Sequence, residues 1–191
     1  MSTPEIEPCI ADVDRKHILL DTCFIIECLR SNRNQETVYN DFIVALNNRH
    51  NTLAITDPVR FEFFKGCDTL LDRREKEALL ASLNTYTIPT DVRVIEKADK
   101  LVSLYRREGK DIQITDIFLG ATLIRYPQLL LLTSNHNDFP VKIFDRKAVI
   151  PLQLERGGID VYGLYGYSET KDTRIMATLL DIEEKRKSVE G

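Results

Sequence analysis

Short runs of apolar residues recur along the chain, separated by longer segments in which apolar residues are spaced as in helices. Residues 18–20 and the four consecutive leucines at 129–132 have the uninterrupted apolar character of strands that are buried on both faces of a sheet. Three further runs with strand character lie at residues 52–56, 86–88 and 148–152. The pattern therefore predicts a sheet with buried, parallel strands at its centre.

The segments between these strands have helical periodicity. Within residues 35–47, for example, Val38, Phe42, Ala45 and Leu46 recur on one face of the predicted helix. Further helices are predicted over residues 23–29, 59–65, 69–83, 91–107 and 114–126. Because strands and helices alternate, the expected fold is a three-layer α/β/α domain with a central, mostly parallel sheet and right-handed crossovers.

The character of the chain changes after Gly157-Gly158. Residues 162–167 are rich in Tyr and Gly, and this stretch either stacks nucleobases or, as the favoured interpretation, forms an ordered loop packed on the body. A helix is predicted over residues 171–187, and its apolar stripe must be buried against the body or against a second copy in a homodimer. The chain is thus expected to consist of an N-terminal arm (1–15), one α/β domain (16–156) and a C-terminal extension of loop plus helix (157–191).

Composition and charge limit the classes of function. With 191 residues, 43% of them hydrophobic, the chain suits a single domain, and its net charge of -4 lacks the basic excess of many duplex-DNA binders. No apolar run approaches the roughly 18 residues of a membrane span, so a cytoplasmic protein without membrane attachment is expected. The four cysteines show no recognised zinc spacing and the three histidines are scattered, which predicts reduced core thiols and no histidine-based metal site.

Four acidic residues fall where the predicted elements reach the same end of the sheet. Asp21 closes the first strand, Glu62 lies in the helix after the second strand, Asp116 begins the most apolar helix, and Asp138 follows the strand of leucines. In an open parallel sheet the ligand crevice lies outside this end, and Mg²⁺ or Mn²⁺ compensates clustered carboxylates there. Each acid alone also fits a local role. Asp21 could be a turn residue, Glu62 an ion-pair partner of Lys65, Asp116 a residue favoured by the helix dipole, and Asp138 a cap. Their order along the chain favours a shared metal site.

These acids and their neighbours resemble the motifs of the PIN domains, and in particular of the VapC-like toxins of toxin–antitoxin pairs. The last motif is the most specific: a leucine-rich strand enters Thr-x-Asn-x-x-Asp-Phe, matched by Thr133 to Phe139. The three other motifs match residues 18–26, 55–66 and 114–123, and the resemblance covers about residues 16–152. The chain departs from the pattern in being longer at both ends and in carrying Ser134 where these proteins often have Arg.

The resemblance implies metal-dependent hydrolysis of single-stranded RNA without a covalent intermediate. It implies Asp21 and Asp116 as direct ligands of Mg²⁺ or Mn²⁺, Asp138 as a further ligand or outer acid, and Glu62 as the group that orients or deprotonates the attacking water. Three hydroxyl groups could bind a carboxylate or a phosphate, those of Thr22, Thr133 and Ser134. The alternative for each is a role in a turn or a helix cap. Attraction of the RNA phosphates must come from basic residues around the acids. The candidates nearest to the motifs in sequence are Arg30, Arg33, Arg60 and Lys65, and the alternative is that they lie on solvated helix faces.

Two functions are compatible with this reading. The first is an endoribonuclease, either free-standing or restrained by an antitoxin protein, and the second is a catalytically silent PIN fold that binds RNA or protein. The presence of all four acids favours the enzyme. A Mg²⁺-dependent phosphatase of another α/β fold is disfavoured, because it needs a second Asp two residues after the first, where this chain has Cys23.

Overall fold

A six-stranded mixed sheet lies at the centre of the protein, in a computed structural model that describes residues 7–107, 109–168, 170 and 177. The described part begins with a short 3-10 helix, Glu7–Ile10. The strands are β1 (His17–Leu20), β2 (Thr52–Thr56), β3 (Tyr86–Ile88), β4 (Leu129–Thr133), β5 (Asp145–Gln153) and β6 (Ile159–Gly166). The helices are α1 (Thr22–Arg33), α2 (Val38–Asn48), α3 (Asp57–Lys65), α4 (Leu70–Ser82), α5 (Val92–Arg107) and α6 (Ile114–Arg125).

The strand order is β3-β2-β1-β4-β6-β5. The first four strands are parallel, and β6 pairs antiparallel with both β4 and β5. The predicted α/β class with a mostly parallel central sheet is therefore confirmed. Since β1 and β4 are neighbouring parallel strands in the middle of the sheet, the residues that follow them emerge side by side at the same edge of the sheet.

Strand β6 corrects the interpretation of residues 162–167 as a loop. Its residues Tyr162, Leu164 and Tyr165 are buried, because β6 is inserted between β4 and β5 and is covered on both faces. Glycine is needed at Gly163, where an added Cβ would lie 2.5 Å from the ring of Tyr165. The high content of Gly and Tyr thus reflects close packing inside a sheet, a context that local propensity does not reveal.

Helix α6 is the most deeply packed helix of the described chain. Eight of its twelve residues are buried, as the apolar sequence predicts. At Gly120 an added Cβ would lie 2.9 Å from Phe144 and 3.0 Å from Leu101, so this glycine lets α6 approach its neighbours closely. Helix α6, which carries Asp116 in its first turn, therefore packs closely on α5 and on the segment before β5.

The ends of several other elements follow from local chemistry. Helix α2 begins at Val38 instead of the predicted residue 35, because Gln35 has a positive φ of 59° and turns the chain between α1 and α2. The segment before β1 is fixed by buried Asn51, whose amide nitrogen donates to the carbonyls of Val13 and Leu46 and whose oxygen accepts from the Lys16 N–H. The chain is therefore anchored just before it enters the central strand.

The helix predicted over residues 171–187, with its apolar stripe, lies outside the described residues except for Ala177. None of the helices in the described part combines the length and the apolar character that a membrane crossing requires.

Candidate active site

The four acids predicted from the sequence lie at the carboxyl edge of the parallel strands. Asp21 directly follows β1 at the N-cap position of α1, Asp138 follows β4, Glu62 lies in α3, and Asp116 lies in the first turn of α6. Asp21 and Asp116 are only 5% and 7% exposed, whereas Glu62 and Asp138 are partly buried. The charges of the other three acids all raise the pKa of Asp116, so the fold brings the four groups into one electrostatic cluster.

Asp21 is held by two short contacts. The Thr133 hydroxyl donates to Oδ2 of Asp21 at 2.5 Å, and the Cys23 thiol donates to the same oxygen at 3.2 Å. Burial raises the pKa of Asp21, while these two bonds act in the opposite direction by stabilising its charged form. Burial also raises the pKa of the Cys23 thiol to about 11, with the nearby Asp21 charge adding to the effect. Cys23 therefore stays a neutral donor at physiological pH.

Glu62 is joined to the first motif across the site. The Thr22 hydroxyl donates to Oε2 of Glu62 at 2.7 Å, which links α1 to α3. Thr22 is itself buried, so the bond is protected from competing water. The second oxygen of Glu62 has no hydrogen-bond partner among the described residues.

Asn135 connects the remaining two acids and was not predicted as a site residue. Its amide nitrogen donates to Asp138 at 2.5 Å and makes a long contact of 3.4 Å to Asp116. Its backbone N–H donates to the Thr133 hydroxyl at 2.9 Å, which orients that hydroxyl toward Asp21. The signal for Asn135 was its place in the Thr-x-Asn-x-x-Asp motif, but only the folded loop shows that one side chain reaches two acids.

The cluster carries uncompensated negative charge. In the described part of the chain, no Lys, Arg or His nitrogen lies within ion-pair distance of any of the four carboxylates. Burial, and then the charges of Asp21, Asp138 and Glu62, raise the pKa of Asp116 to about 7. A set of carboxylate oxygen donors without a compensating positive charge in this part of the chain fits a hard divalent cation chemically.

The four acids do not form a complete set of metal ligands in this structure. Among the described residues, no three Asp, Glu, His or Cys side chains are placed to hold one metal ion together. The carboxylates instead accept bonds from Thr133, Thr22 and Asn135. A shared cation therefore requires side-chain rotations in which carboxylate oxygens exchange these donors for the ion.

The other predicted site residues are distributed unevenly. Thr22 and Thr133 contact the acids, as described above, and exposed Ser134 lines a cavity beside them. The guanidinium of Arg60 lies over the ring of Phe64, 5.3 Å from its centroid, and Lys65 is exposed at the end of α3. Neither of these basic residues lies within ion-pair distance of an acid of the cluster.

The comparison with models of protein families identifies the family of this chain. The model of the PIN domain family matches residues 18–142. No curated protein matches the chain significantly. Among solved structures, the protein is similar to one chain in the crystal structure of VapBC2 from Rickettsia felis bound to a DNA fragment from their promoter. The sequence identity is 16% and the TM-score is 0.48, and the match covers 60% of this protein and 96% of the Rickettsia felis chain. Since the family match spans well over half of the chain and includes all four acids, the protein belongs to the PIN-domain family.

Proposed function

We propose that the protein is a metal-dependent endoribonuclease that hydrolyses phosphodiester bonds in single-stranded RNA. PIN domains are generally metal-dependent nucleases, and the family membership supports that level of the proposal. The observation that carries it is the convergence of four acids, Asp21, Glu62, Asp116 and Asp138, from four separate elements without a compensating cation among the described residues. RNA as the substrate rests on family analogy.

Asp21, Asp116 and Asp138 would hold Mg²⁺ or Mn²⁺, which, when bound, supplies Lewis-acid polarisation and charge neutralisation at the scissile phosphate. The protein's own groups prepare this site. Thr133 fixes the orientation of Asp21, and Asn135 links Asp116 and Asp138 by donating to Asp138 and making a long contact to Asp116.

Glu62 is the proposed general base. One of its oxygens is held by Thr22, and the other has no partner among the described residues, so it is free to accept a proton from water. As that water attacks, a new O–P bond forms, the ester O–P bond breaks, and the leaving oxygen takes a proton from solvent. Ser134, Arg60 and Lys65 are proposed contacts to the phosphates of the strand, all three being exposed.

Restraint by an antitoxin, self-association as a homodimer and a cytoplasmic location belong to the same hypothesis. A short upstream reading frame that encodes a DNA-binding protein, and co-purification of its product with this chain, would support the toxin role. Failure of the two products to associate would leave a free-standing nuclease.

The function is tested with the purified full-length protein and 5′-labelled single-stranded RNA. Cleavage is expected with Mg²⁺ or Mn²⁺ and should stop in EDTA. Asp21→Asn and Asp116→Asn should each abolish turnover because both keep the side-chain size but remove ligand charge. Glu62→Gln should lower kcat by about 10²- to 10⁴-fold, the usual contribution of a general base.

Asp72→Asn is the matched control, since Asp72 occupies the third position of α4 as Asp116 does in α6, but lies outside the cluster. It should cleave at the wild-type rate. Full cleavage in EDTA would contradict the mechanism. Binding of RNA by the wild type without any cleavage in Mn²⁺ would instead identify a catalytically silent module.

A further inference from the structure

A cavity of about 330 Å³ lies beside the carboxylate cluster, between α1 and β6. Helix α1 lines it with Ile26, Glu27 and Arg30, and strand β6 lines it with Asp160 and Val161. Strand β6 follows the segment that matches the family model, which ends at residue 142. One wall of this cavity is therefore built by a part of the chain to which the family comparison assigns nothing.

The cavity begins at the cluster itself. Cys23 and Ser134 both line it, and the Cys23 thiol donates to Asp21. Ser134 directly follows Thr133, which donates to the same carboxylate. An RNA strand whose scissile phosphate lies at the acids would thus bring a neighbouring nucleotide to the mouth of the cavity.

Two carboxylates of the lining each keep one oxygen open to a ligand. Glu27 pairs through one oxygen with Arg30, and Asp160 accepts the Tyr39 hydroxyl through one oxygen at 2.5 Å. The second oxygen of each carboxylate has no hydrogen-bond partner among the described residues. Two carboxylates and one guanidinium leave an excess of negative charge, which repels a phosphate and favours a neutral group with N–H donors.

The apolar part of the lining suits a flat ring. Ile26 comes from the helix and is partly buried, and Val161 comes from the strand and is 41% exposed. A nucleobase would cover these side chains while its edge reaches the free carboxylate oxygens. An arginine side chain of a partner protein also presents paired N–H groups. It has no ring to cover Ile26 and Val161, however, and it is not joined to a scissile phosphate.

We propose that this cavity binds a nucleobase next to the cleaved phosphate and prefers guanine; the proposal rests on the nuclease function described above. Guanine presents two adjacent donors, N1–H and the N2 amino group, for the free oxygens of Glu27 and Asp160. Adenine and cytosine place an acceptor beside their amino group. Uracil places its single N–H between two carbonyl oxygens, which the carboxylates repel.

The test compares wild type with Asp160→Asn and Glu27→Gln on uridine-rich RNA oligonucleotides that contain one guanosine, inosine, adenosine or cytidine. Both variants keep an acceptor for Tyr39 or Arg30, so the fold should be retained. Wild type should cut next to guanosine, with kcat/KM lower on the order of 10-fold for inosine, which lacks the N2 amino group. In either variant the ratio of guanosine to inosine should fall toward one, a change that a purely structural role would not cause.

Asp14→Asn is the control. It removes the same charge from an exposed residue before β1, at the end of the sheet opposite the acids. This variant should keep the wild-type ratio. Metal-dependent cleavage that is lost in Asp116→Asn, yet is equal for all bases in wild type, would overturn the guanine site while leaving the proposed function intact.

If no RNA is cleaved, the proposed function fails and the cavity is tested by binding alone. Saturation-transfer NMR with guanosine, inosine, uridine and free arginine reads the cavity without catalysis. Guanosine signals in wild type that disappear in Asp160→Asn support the site. Binding of arginine without guanosine assigns the cavity to a protein side chain, and binding of none of the probes shows no ligand site; both results overturn the proposal.

Discussion

Asp116→Asn should stabilise the metal-free protein near and above pH 7 and should remove most of the stabilisation that Mn²⁺ provides. In the folded protein burial and three neighbouring acids raise the pKa of Asp116 from 3.8 to about 7. Above pH 7 the folded chain must therefore carry a charge in a place that disfavours it. Asparagine has nearly the same shape and carries no charge.

The size of the effect follows from the pKa. The difference between about 7 and 3.8, at about 1.4 kcal/mol per pH unit, sets a ceiling of about 4 kcal/mol on the relief. Loss of the helix-dipole interaction at the start of α6 and of the long contact to Asn135 offsets about 1 to 2 kcal/mol. A net gain of about 2 to 3 kcal/mol corresponds to a rise in Tm of roughly 4 to 12 °C.

The dependence on pH has a definite direction. A carboxyl whose folded pKa is raised contributes full stability below its unfolded pKa, and that contribution is lost as the pH rises through the folded pKa. The advantage of the variant should therefore be absent below pH 3.8, grow up to about pH 7 and then level off. Because metal ligands must be deprotonated, Mn²⁺ affinity of the wild type should fall as the pH drops toward about 5.

The assay is thermal unfolding of both proteins in EDTA over this pH range, and then with Mn²⁺. At 100 times its Kd, Mn²⁺ should add about 2.7 kcal/mol to wild type and much less to the variant. Asp72→Asn serves as the control, because Asp72 accepts two bonds from Thr69 in a capping box. It should lose about 0.5 to 1 kcal/mol and keep the full gain from Mn²⁺. A strongly destabilised Asp116→Asn that keeps that gain would make Asp116 a structural cap and refute the assignment.

Two further predictions concern packing. Gly120→Ala should lower the free energy of unfolding, measured in urea, by about 1 to 2 kcal/mol, because the new methyl group would meet the ring of Phe144 and the side chain of Leu101. The control Gly66→Ala should change it by less than about 0.5 kcal/mol, because nothing lies within 4 Å of an added Cβ there. Asn51→Ala should lower the free energy of unfolding by about 2 to 4 kcal/mol, because three hydrogen bonds to the backbone are lost. The control Asn47→Ala, at an exposed position, should be nearly neutral. Equal values for the two glycine variants, or for the two asparagine variants, would contradict the packing described here.

The sequence was sufficient to predict the alternation of strands and helices, the α/β class and the edge at which the four acids emerge. These features depend on local periodicity and on the rule that residues after parallel strands meet at one end of a sheet. The resemblance to the PIN motifs also made Thr22 and Thr133 candidates beside Asp21 and Glu62, and the structure places each hydroxyl against one of these acids. Which acids hold a metal stays a prediction.

The tertiary structure decided the features that depend on partners distant in sequence. Strand β6 has a composition typical of a loop, and it becomes a strand because insertion between β4 and β5 buries Tyr162 and Tyr165. Asn135 and Cys23 enter the site through side-chain directions that no spacing rule specifies. The pKa of Asp116 and the cavity beside the acids arise in the same way, since burial and charge proximity are properties of the packed chain.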